Sequence, residues 1–446
     1  MNCFHPRGTN DRSGAHSHAG SGSRWGTSST RAQRGCVASA AITGICAVVL
    51  AAMAAPALAA SRKPTPDAVP MPAGALEPAA APAMPTYDTK GNFSFAVLGD
   101  SAPPAPDLPV PSVLFRLFDD IGTLRPDILF HTGNFVWVSP GDQAGAQVQM
   151  DRFRLSADGL QGIPIFVAPG PRDVPDEEAD VVFRKLISGG QPWRSFDYGN
   201  SHFIVLDTEV PNEVGKIAGD QMTWLQSDLD THSQAAHTFV FLNRAPYPTT
   251  PDAPADDVFS APADRDSFTG LMSKYHVTTV FSGGQPLYSS STQDGVNYVN
   301  TGGGGSPSTA APENGGFIHY VLVTVSGDNV SVAPLEPGRV DVRFAQPEPG
   351  VATVYNSSPF PLTVNHVAIA VPSVWRAKHV GLLGAARLAV YQVTAAGVGP
   401  NGAGAEAAAV DLEPGKSVGV GQPDVLYVRV LVPADSAVNI KIQPAP

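Results

Sequence analysis

From Phe93 onward, short apolar runs alternate with amphipathic stretches, and each run ends in a short polar loop. The first part of this pattern predicts a strand at Phe93–Leu98, a helix at Val110–Leu124, a strand at Asp127–His131, a helix near Ala146–Leu155 and a strand at Ile165–Ala168. Such alternation is typical of layered α/β folds. The loops that follow the strands are expected to meet at one edge of a sheet, where side chains for binding or catalysis can gather.

The same pattern continues to about residue 334, with more strands than helices. Helices are predicted at Glu177–Ile187, Gln221–Asp230 and Arg265–Tyr275. Strands are predicted at Ser195–Tyr198, His202–Leu206, Thr238–Leu242, Val277–Phe281, Val296–Val299, Ile318–Val325 and Val330–Pro334. Because some of these strands follow one another with only a turn between them, part of the sheet is expected to be antiparallel.

Helical signals end after Pro337, and β-type segments separated by turn residues follow. These segments are Val340–Phe344, Val351–Val354, Val364–Val371, Leu388–Val393, Val410–Leu412, Val425–Val432 and Val438–Ile442. Short strands at this spacing are typical of a β-sandwich. The sequence therefore predicts an α/β domain over residues 91–337 and an all-β sandwich domain over residues 338–446.

The N-terminal residues have a different composition. Residues 1–36 are rich in Ser, Gly and Arg, and an uncharged run from Val37 to Ala60 ends in the small-residue motif Ala57-Leu58-Ala59. This pattern predicts an export signal over residues 1–60, and the Pro- and Ala-rich residues 61–90 predict a linker. The expected location is the periplasm, the cell surface or the extracellular space, with a membrane contact only if the leader is retained as an anchor.

Composition excludes two classes of function. The three cysteines, Cys3, Cys36 and Cys46, all lie in the predicted leader, so the remaining chain has no thiolate chemistry and no disulfide. The formal net charge is −12 at pH 7, which argues against nucleic acid as a partner.

Five of the strand-terminal loops carry polar residues in a specific order. They read Gly99-Asp100-Ser101-Ala102, His131-Thr132-Gly133-Asn134, Pro169-Gly170-Pro171-Arg172-Asp173, Leu242-Asn243-Arg244 and Ser282-Gly283-Gly284-Gln285-Pro286. In this order the loops resemble those of the calcineurin-like metallophosphoesterases, especially the branch that contains the purple acid phosphatases. The resemblance covers about residues 93–334. It implies a four-layer α-β-β-α sandwich, two divalent metal ions and hydrolysis of phosphoesters.

Most of the positions that would bind metal in that family have changed their residue type. Asp100 keeps a carboxylate, whereas Asn134 and Asn243 offer only neutral oxygens, so these three are weak candidates for metal binding. Four other positions offer no ligand atom: Ala102, Pro171, Gly284 and Pro286. Two divalent ions need a bridging carboxylate and several imidazoles, so no metal ion or other cofactor is expected.

The catalytic position has changed as well. Arg172 stands where the resemblance places the catalytic histidine, and Asp173 keeps the last residue of that motif. No catalytic residue is therefore expected. Arg172 and Arg244 could instead bind a phosphate, sulfate or carboxylate group. The preferred interpretation is that the two arginines pair with Asp100 and Asp173, because buried carboxylates need partners.

The histidines outside these loops lack a recognisable catalytic context. Those assigned to apolar strand runs are interpreted as packing residues: His131, His202, His276 and His319. His232 and His237 flank a predicted helix end and are interpreted as solvated.

These observations favour an exported pseudoenzyme that keeps a metallophosphoesterase-like fold as a binding or scaffolding module. Its expected partner is an unidentified protein or a small anionic ligand. One alternative is an active phosphoesterase with a rebuilt site, which uses a single ion on Asp100 and Asn134 or a metal-free site with Arg172. Another is a structural surface protein in which the β-sandwich is the working part.

Overall fold

The structure is a computed structural model that describes residues 91–444, except residues 107, 161, 251–252, 373–390, 399–409 and 413–424. The predicted leader and linker lie outside the described residues, as does the first part of the predicted strand Leu388–Val393. Among the helices of the described part, none has the length and apolar character needed to cross a membrane.

Strands and helices alternate through the first part of the described chain, as predicted. They are β1 (Asn92–Leu98), α1 (Ser112–Leu124), β2 (Ile128–His131), α2 (Gln143–Ser156), β3 (Ile165–Val167) and α3 (Glu177–Phe183). Helix α1 begins later than predicted because Pro111 is extended and a residue before proline avoids the helical region. Helix α3 is followed by one π-helical turn, Arg184–Ser188.

Strands predominate in the next part of the chain. The elements are β4 (Arg194–Tyr198), β5 (Ser201–Val205), α4 (Gly219–Thr231), β6 (His237–Phe241), α5 (Pro262–Lys274), β7 (Thr279–Ser282), β8 (Tyr288–Gln293), β9 (Val296–Thr301), β10 (Tyr320–Ser326) and β11 (Asn329–Leu335). Strand β8 was not predicted, because its polar sequence lacks alternating apolar residues. It pairs with β9 through a turn at Asp294 and Gly295, which have φ values of 49° and 83°. Asp-Gly is a preferred pair for a turn of this geometry.

These strands form two mixed sheets. One sheet has the order β11-β10-β1-β2-β3, in which β1, β2 and β3 are parallel. The other has the order β4-β5-β6-β7-β9-β8, in which β5, β6, β7 and β9 are parallel. Antiparallel pairs occur at the margins of both sheets, as the consecutive strands predicted.

A layer of phenylalanine side chains lies between the two sheets. Phe130 in β2 stacks on Phe241 in β6, with 3.7 Å between the ring centroids. Phe95 in β1 has its edge-to-face neighbours in both sheets: Phe130, Phe203, Phe239, Phe241 and Phe281. All of these rings are fully buried. The core between the two sheets is therefore formed by aromatic packing.

Helices cover the outer face of each sheet. Leu114 in α1 and Phe153 in α2 share an apolar cluster with Leu98 of the first sheet. Leu225 in α4 and Phe268 in α5 belong to a separate cluster on the second sheet. The described part of the chain is thus a mixed α/β structure with several sheets.

The C-terminal region is built from strands. They are β12 (Val342–Glu348), β13 (Val351–Asn356), β14 (Leu362–Ala370), β15 (Tyr391–Val398), β16 (Val410–Leu412), β17 (Val425–Val432) and β18 (Ser436–Pro444). They form two antiparallel sheets, β12-β13-β18-β15 and β14-β17-β16.

A buried polar network connects the C-terminal strands with the first sheet. Asp127 accepts hydrogen bonds from the backbone N–H of Ser94 (3.0 Å), the hydroxyl of Tyr198 (2.9 Å) and the guanidinium of Arg429 (3.4 Å). Asn365 accepts from Arg429 Nε (2.7 Å) and donates to Ser94 Oγ (2.6 Å). The regions assigned to separate domains thus share buried contacts, and the boundary at residues 337–338 stays a prediction.

Phe95→Ala is expected to lower the free energy of unfolding by about 3–5 kcal/mol, because it leaves a cavity between the two sheets. Phe344→Ala is the matched control, since Phe344 is 46% exposed, and it is expected to cost less than about 1 kcal/mol. Urea denaturation followed by tryptophan fluorescence measures both. Equal losses in the two variants would contradict the central role of the aromatic layer.

Candidate binding site at the strand ends

The loops that follow β1, β2, β3, β6 and β7 meet at one place, as the order of the motifs predicted. The backbone N–H of Asp100 donates to the carbonyl of Gly133 (3.1 Å). Asn243 Nδ2 donates to the carbonyl of Thr132 (2.7 Å), and the N–H of Gly284 donates to the carbonyl of Asn243 (2.8 Å). Loops from both sheets therefore form one strand-end pocket.

Asp173 holds two of these loops together. Its Oδ2 accepts from the N–H groups of Asn134 (2.7 Å) and Gly170 (2.8 Å). Its Oδ1 accepts from the N–H groups of Phe135 (2.8 Å) and Val136 (3.0 Å). The side chain is fully buried. Asp173 therefore pairs with backbone donors, and the expectation that an arginine pairs with it was wrong.

Burial raises the pKa of Asp173 to about 7, and the backbone hydrogen bonds act in the opposite direction. Backbone N–H groups can only donate, so the arrangement fits the ionised carboxylate. Both oxygens are fully used as acceptors. The one acidic residue that survives from the third motif is thus a structural anchor of the loops.

Asp100 is the carboxyl group of the pocket itself. It is buried, and its Oδ1 has no hydrogen-bond partner among the described residues. Burial raises the pKa of Asp100 well above its usual value, and the positive charge of Arg172 only partly opposes this. Asp100 and Asn134 both have left-handed backbones, with φ values of 52° and 53°. This environment therefore favours the protonated form of the carboxyl group.

Asn134 and Asn243 contribute amide groups to this site. Asn134 Oδ1 accepts from the backbone N–H of Arg172 (3.2 Å). Asn243 Oδ1 has no hydrogen-bond partner within the described part of the chain. A Cβ at Gly170 would lie 2.5 Å from Asn134 Oδ1 and 2.7 Å from Asn243 Nδ2. The amides are thus packed tightly against the backbone of the third loop.

The positions without ligand atoms are also close to the pocket. Ala102 is buried, and its N–H donates to the carbonyl of Asn134 (2.8 Å). Pro171 and Pro286 are half-buried. A Cβ at Gly284 would lie 2.6 Å from the carbonyl oxygen of Asp257. Backbone therefore occupies the space that a histidine side chain at position 284 would need.

Asp257 belongs to the pocket and was not predicted from the sequence. It ends a short 3-10 turn, Ala255–Asp257, and its carbonyl accepts from the N–H of Ala245 (2.8 Å). Burial raises the pKa of Asp257 to about 6, and the charge of Arg172 opposes the rise. The irregular, Pro-rich sequence before it has no periodicity from which its position could be predicted.

Arg244 does not pair with Asp100 or Asp173, so the preferred interpretation was wrong for this residue. Its Nε and Nη2 donate to both carboxylate oxygens of Glu209, at 2.7 and 2.6 Å, and Nη1 donates to the carbonyl of Ala255 (3.2 Å). The side chains of Arg244 and Glu209 are buried. The guanidinium of Arg244 therefore uses its Nε, Nη1 and Nη2 donors in hydrogen bonds within the fold.

Arg172 differs from Arg244. Its guanidinium lies over the ring of Trp137, 4.7 Å from the centroid, and it forms no ion pair with any residue that the structure describes. Its charge acts on Asp100 and Asp257. Arg172 is therefore the cation of this pocket.

The ligand atoms of the pocket do not fit two divalent ions. Only Asp100 Oδ1 and Asn243 Oδ1 are buried oxygens of the predicted site without a partner among the described residues, and even one zinc ion normally takes four ligands. The positive charge of Arg172 competes for the same carboxyl group. No reaction step through a dinuclear metal centre follows from this arrangement.

Two of the predicted packing histidines are buried and neutral. His131 Nδ1 accepts from the N–H of Gly133 (3.1 Å), so Nε2 carries the proton and donates to Ser101 Oγ (2.9 Å). Burial lowers the pKa of His131 to about 3 and that of His319 to about 4.

Two other histidine assignments were wrong. His276 is exposed, with a left-handed backbone just after α5, because the strand begins only at Thr279. His237 is a buried residue of β6, and its Nε2 donates to the carbonyl of Gly327 (2.9 Å). No local sequence pattern indicates a hydrogen-bond partner so far along the chain.

No protein-family model and no curated protein matches the chain. Similar solved structures include a purple acid phosphatase from yellow lupin (Lupinus luteus), with 16% identity and a TM-score of 0.44 over 62% of this chain and 53% of that chain. A second is the anchor in the inner membrane complex of Plasmodium, with 14% identity and a TM-score of 0.42 over 56% of this chain and 85% of that chain. A third is a dimetal phosphatase from Danio rerio, with 10% identity and a TM-score of 0.41 over 55% of this chain and 98% of that chain. The chain thus spans about half the length of the lupin phosphatase, and at these scores the activities of the neighbours do not transfer to it.

Asp173→Asn is expected to lower the free energy of unfolding by at least about 2 kcal/mol, because one acceptor oxygen is replaced by a donor that faces buried N–H groups. Asp158→Asn, at an exposed position, is the control and is expected to change stability by less than about 0.5 kcal/mol. Urea denaturation measures both. If Asp173→Asn lowers the free energy of unfolding no more than the control does, Asp173 does not anchor the loops.

Asp100→Asn is expected to gain stability relative to the wild type as the pH rises from about 5 to about 8. Because burial raises the pKa of Asp100, the folded protein binds this proton more tightly than the unfolded chain, so the stability that the carboxyl group contributes is lost as the pH rises above about 4. Asparagine tolerates the left-handed backbone and does not titrate. Urea denaturation at both pH values, with Asp158→Asn as control, measures the effect. A pH-independent difference between variant and wild type would contradict a raised pKa at Asp100.

Proposed function

We propose that this protein is an exported, metallophosphoesterase-like pseudoenzyme that acts as a binding or scaffolding module. The observation that carries the proposal is the state of Asp100, a buried carboxyl group whose Oδ1 has no hydrogen-bond partner among the described residues, at the place where the resemblance implies two metal ions. The position of Gly284 also supports the proposal, because the backbone of Asp257 leaves no room for a metal-binding side chain at position 284.

The proposed architecture is a four-layer α-β-β-α sandwich followed by a β-sandwich. Two sheets packed through phenylalanine rings, with helices on their outer faces, support the first part. Two antiparallel sheets formed by β12–β18 support the second.

The chemistry of the pocket supports loss of the family's reaction. Metal ions in such enzymes generate a hydroxide nucleophile near neutral pH, and this donor set does not hold them. An arginine at position 172 cannot replace a histidine as a proton carrier, because a guanidinium does not release its proton in proteins. The pocket would therefore bind a ligand without converting it.

Arg172 gives the proposed module its ligand preference. A guanidinium held over an aromatic ring, without an ion pair inside the described chain, suits a small anion such as a carboxylate or phosphate group. A protein that presents such a group is the other proposed partner. Export to the periplasm, cell surface or medium rests on the composition of residues 1–60 alone.

The purified protein is expected to hydrolyse neither a phosphomonoester nor a phosphodiester above the rate of the metal-only blank, in added Mn²⁺, Zn²⁺ or Fe²⁺. Release of p-nitrophenol from the mono- and diester of p-nitrophenyl phosphate measures this. Saturable turnover that Asp100→Asn abolishes and the exposed control Asp158→Asn retains would overturn the proposal in favour of a rebuilt active site.

A further inference from the structure

Two histidines and two aspartates form a cluster far along the strands from the pocket described above. The Asp197 cluster consists of Asp197 in β4, His202 near the start of β5, Asp228 in the last turns of α4, and His232, which ends α4. Asp197 pairs directly with His202 across the β4–β5 hairpin. The strand-end pocket lies beyond the opposite ends of β6 and β7, so the two sites are separate.

Asp228 determines the orientation of both rings. One of its carboxylate oxygens accepts from His202 Nε2 (2.8 Å), and the other accepts from the hydroxyl of Ser195 (2.6 Å). Its backbone carbonyl accepts from His232 Nδ1 (2.8 Å). The rings stack with 3.9 Å between their centroids and 11° between their planes. The remaining nitrogens are thus His202 Nδ1 and His232 Nε2.

Both remaining nitrogens lie near the carboxylate of Asp197. His202 Nδ1 is 2.7 Å from Asp197 Oδ1, and His232 Nε2 is 3.8 Å from Asp197 Oδ2. One ligand atom from each of the three residues lies within 4.8 Å of the others. Two imidazole nitrogens and one carboxylate oxygen are a preferred ligand set for zinc.

We propose that Asp197, His202 and His232 bind a zinc ion or a similar divalent transition-metal ion, and that Asp228 is the positioning residue. Ligating histidines in proteins usually donate their other N–H to a carboxylate or a backbone carbonyl, and Asp228 provides one of each. The three side chains leave a fourth position for water or for a group of a partner.

Exposure gives the ion access to the site. The side chain of Asp197 is 63% exposed and that of His232 is 29% exposed, whereas His202 is buried. Metal–ligand bonds of about 2.0–2.1 Å require the ion to enter between Asp197 and the rings. Asp197 is free to move outward because it lies at the surface.

The ion competes with a proton. Burial lowers the pKa of His202, but the hydrogen bonds and charges of Asp228 and Asp197 outweigh it and raise the pKa overall. These two carboxylates and the ring of His232 are the titratable groups that face His202. Zinc binds an imidazole nitrogen that carries no proton, so Nδ1 of His202 would bind the ion in its deprotonated form.

Isothermal titration of the metal-free full chain with ZnCl₂ tests the proposal, with Co²⁺ absorption in the visible range as a readout of coordination. Asp197→Asn changes an exposed side chain and His232→Ala a half-buried one, and each is expected to weaken binding at least about tenfold. Asp228→Asn is expected to weaken it about 10–100-fold.

His276→Asn is the matched control, because it removes an exposed histidine elsewhere and asparagine fits its left-handed backbone. This control and Asp100→Asn are expected to bind zinc like the wild type. Failure of the wild type to bind zinc, or binding that is unchanged in both Asp197→Asn and His232→Ala, would overturn the proposal. Weakening by Asp100→Asn alone would assign the ion to the strand-end pocket and would overturn it as well.

Discussion

The buried carboxylate of Asp173 is the interaction on which the strand-end pocket depends. Four backbone N–H groups from two loops converge on its oxygens, and buried N–H groups without an acceptor would be costly. The loops after β2 and β3 are closed around this one side chain. Aspartate often binds metal ions, but here its carboxylate holds the backbone of two loops in place. The side chains of Asn134 and Asn243 pack against the backbone of the second of these loops at Gly170.

Charge balance explains the rest of the pocket. Arg244 and Glu209 form a buried bidentate pair, so they neutralise one another inside the fold. Asp100 has no such bidentate pair among the described residues, and burial therefore favours its protonated form. Arg172 rests on Trp137 and remains the cation of the site. The architecture therefore gathers five loops around one buried carboxyl group, two amides and one arginine.

The proposed zinc site is formed by paired strands and the end of a helix, whereas the strand-end pocket is formed by loops. Pairing of β4 with β5 places Asp197 beside His202, and the last turn of α4 brings Asp228 and His232 onto the same face. His202 alternates with Phe203, whose ring belongs to the aromatic layer, so the imidazole must face α4. The aromatic packing between the sheets therefore also determines where the proposed zinc ligands point.

Local periodicity was sufficient to predict most helices and strands, because these depend on residues close in sequence. The convergence of the five loops was expected from the order of their motifs at the strand ends. Local periodicity was insufficient for β8, which is polar, and for His237, whose partner Gly327 lies far along the chain. The sequence by itself determined which residue types stand at the strand ends. Only the tertiary structure decided that Asp173 binds backbone, that Arg244 pairs with Glu209, and that Asp257 lies beside Gly284. Those outcomes depend on how buried charges and backbone donors find partners across long sequence separations, which no local pattern encodes.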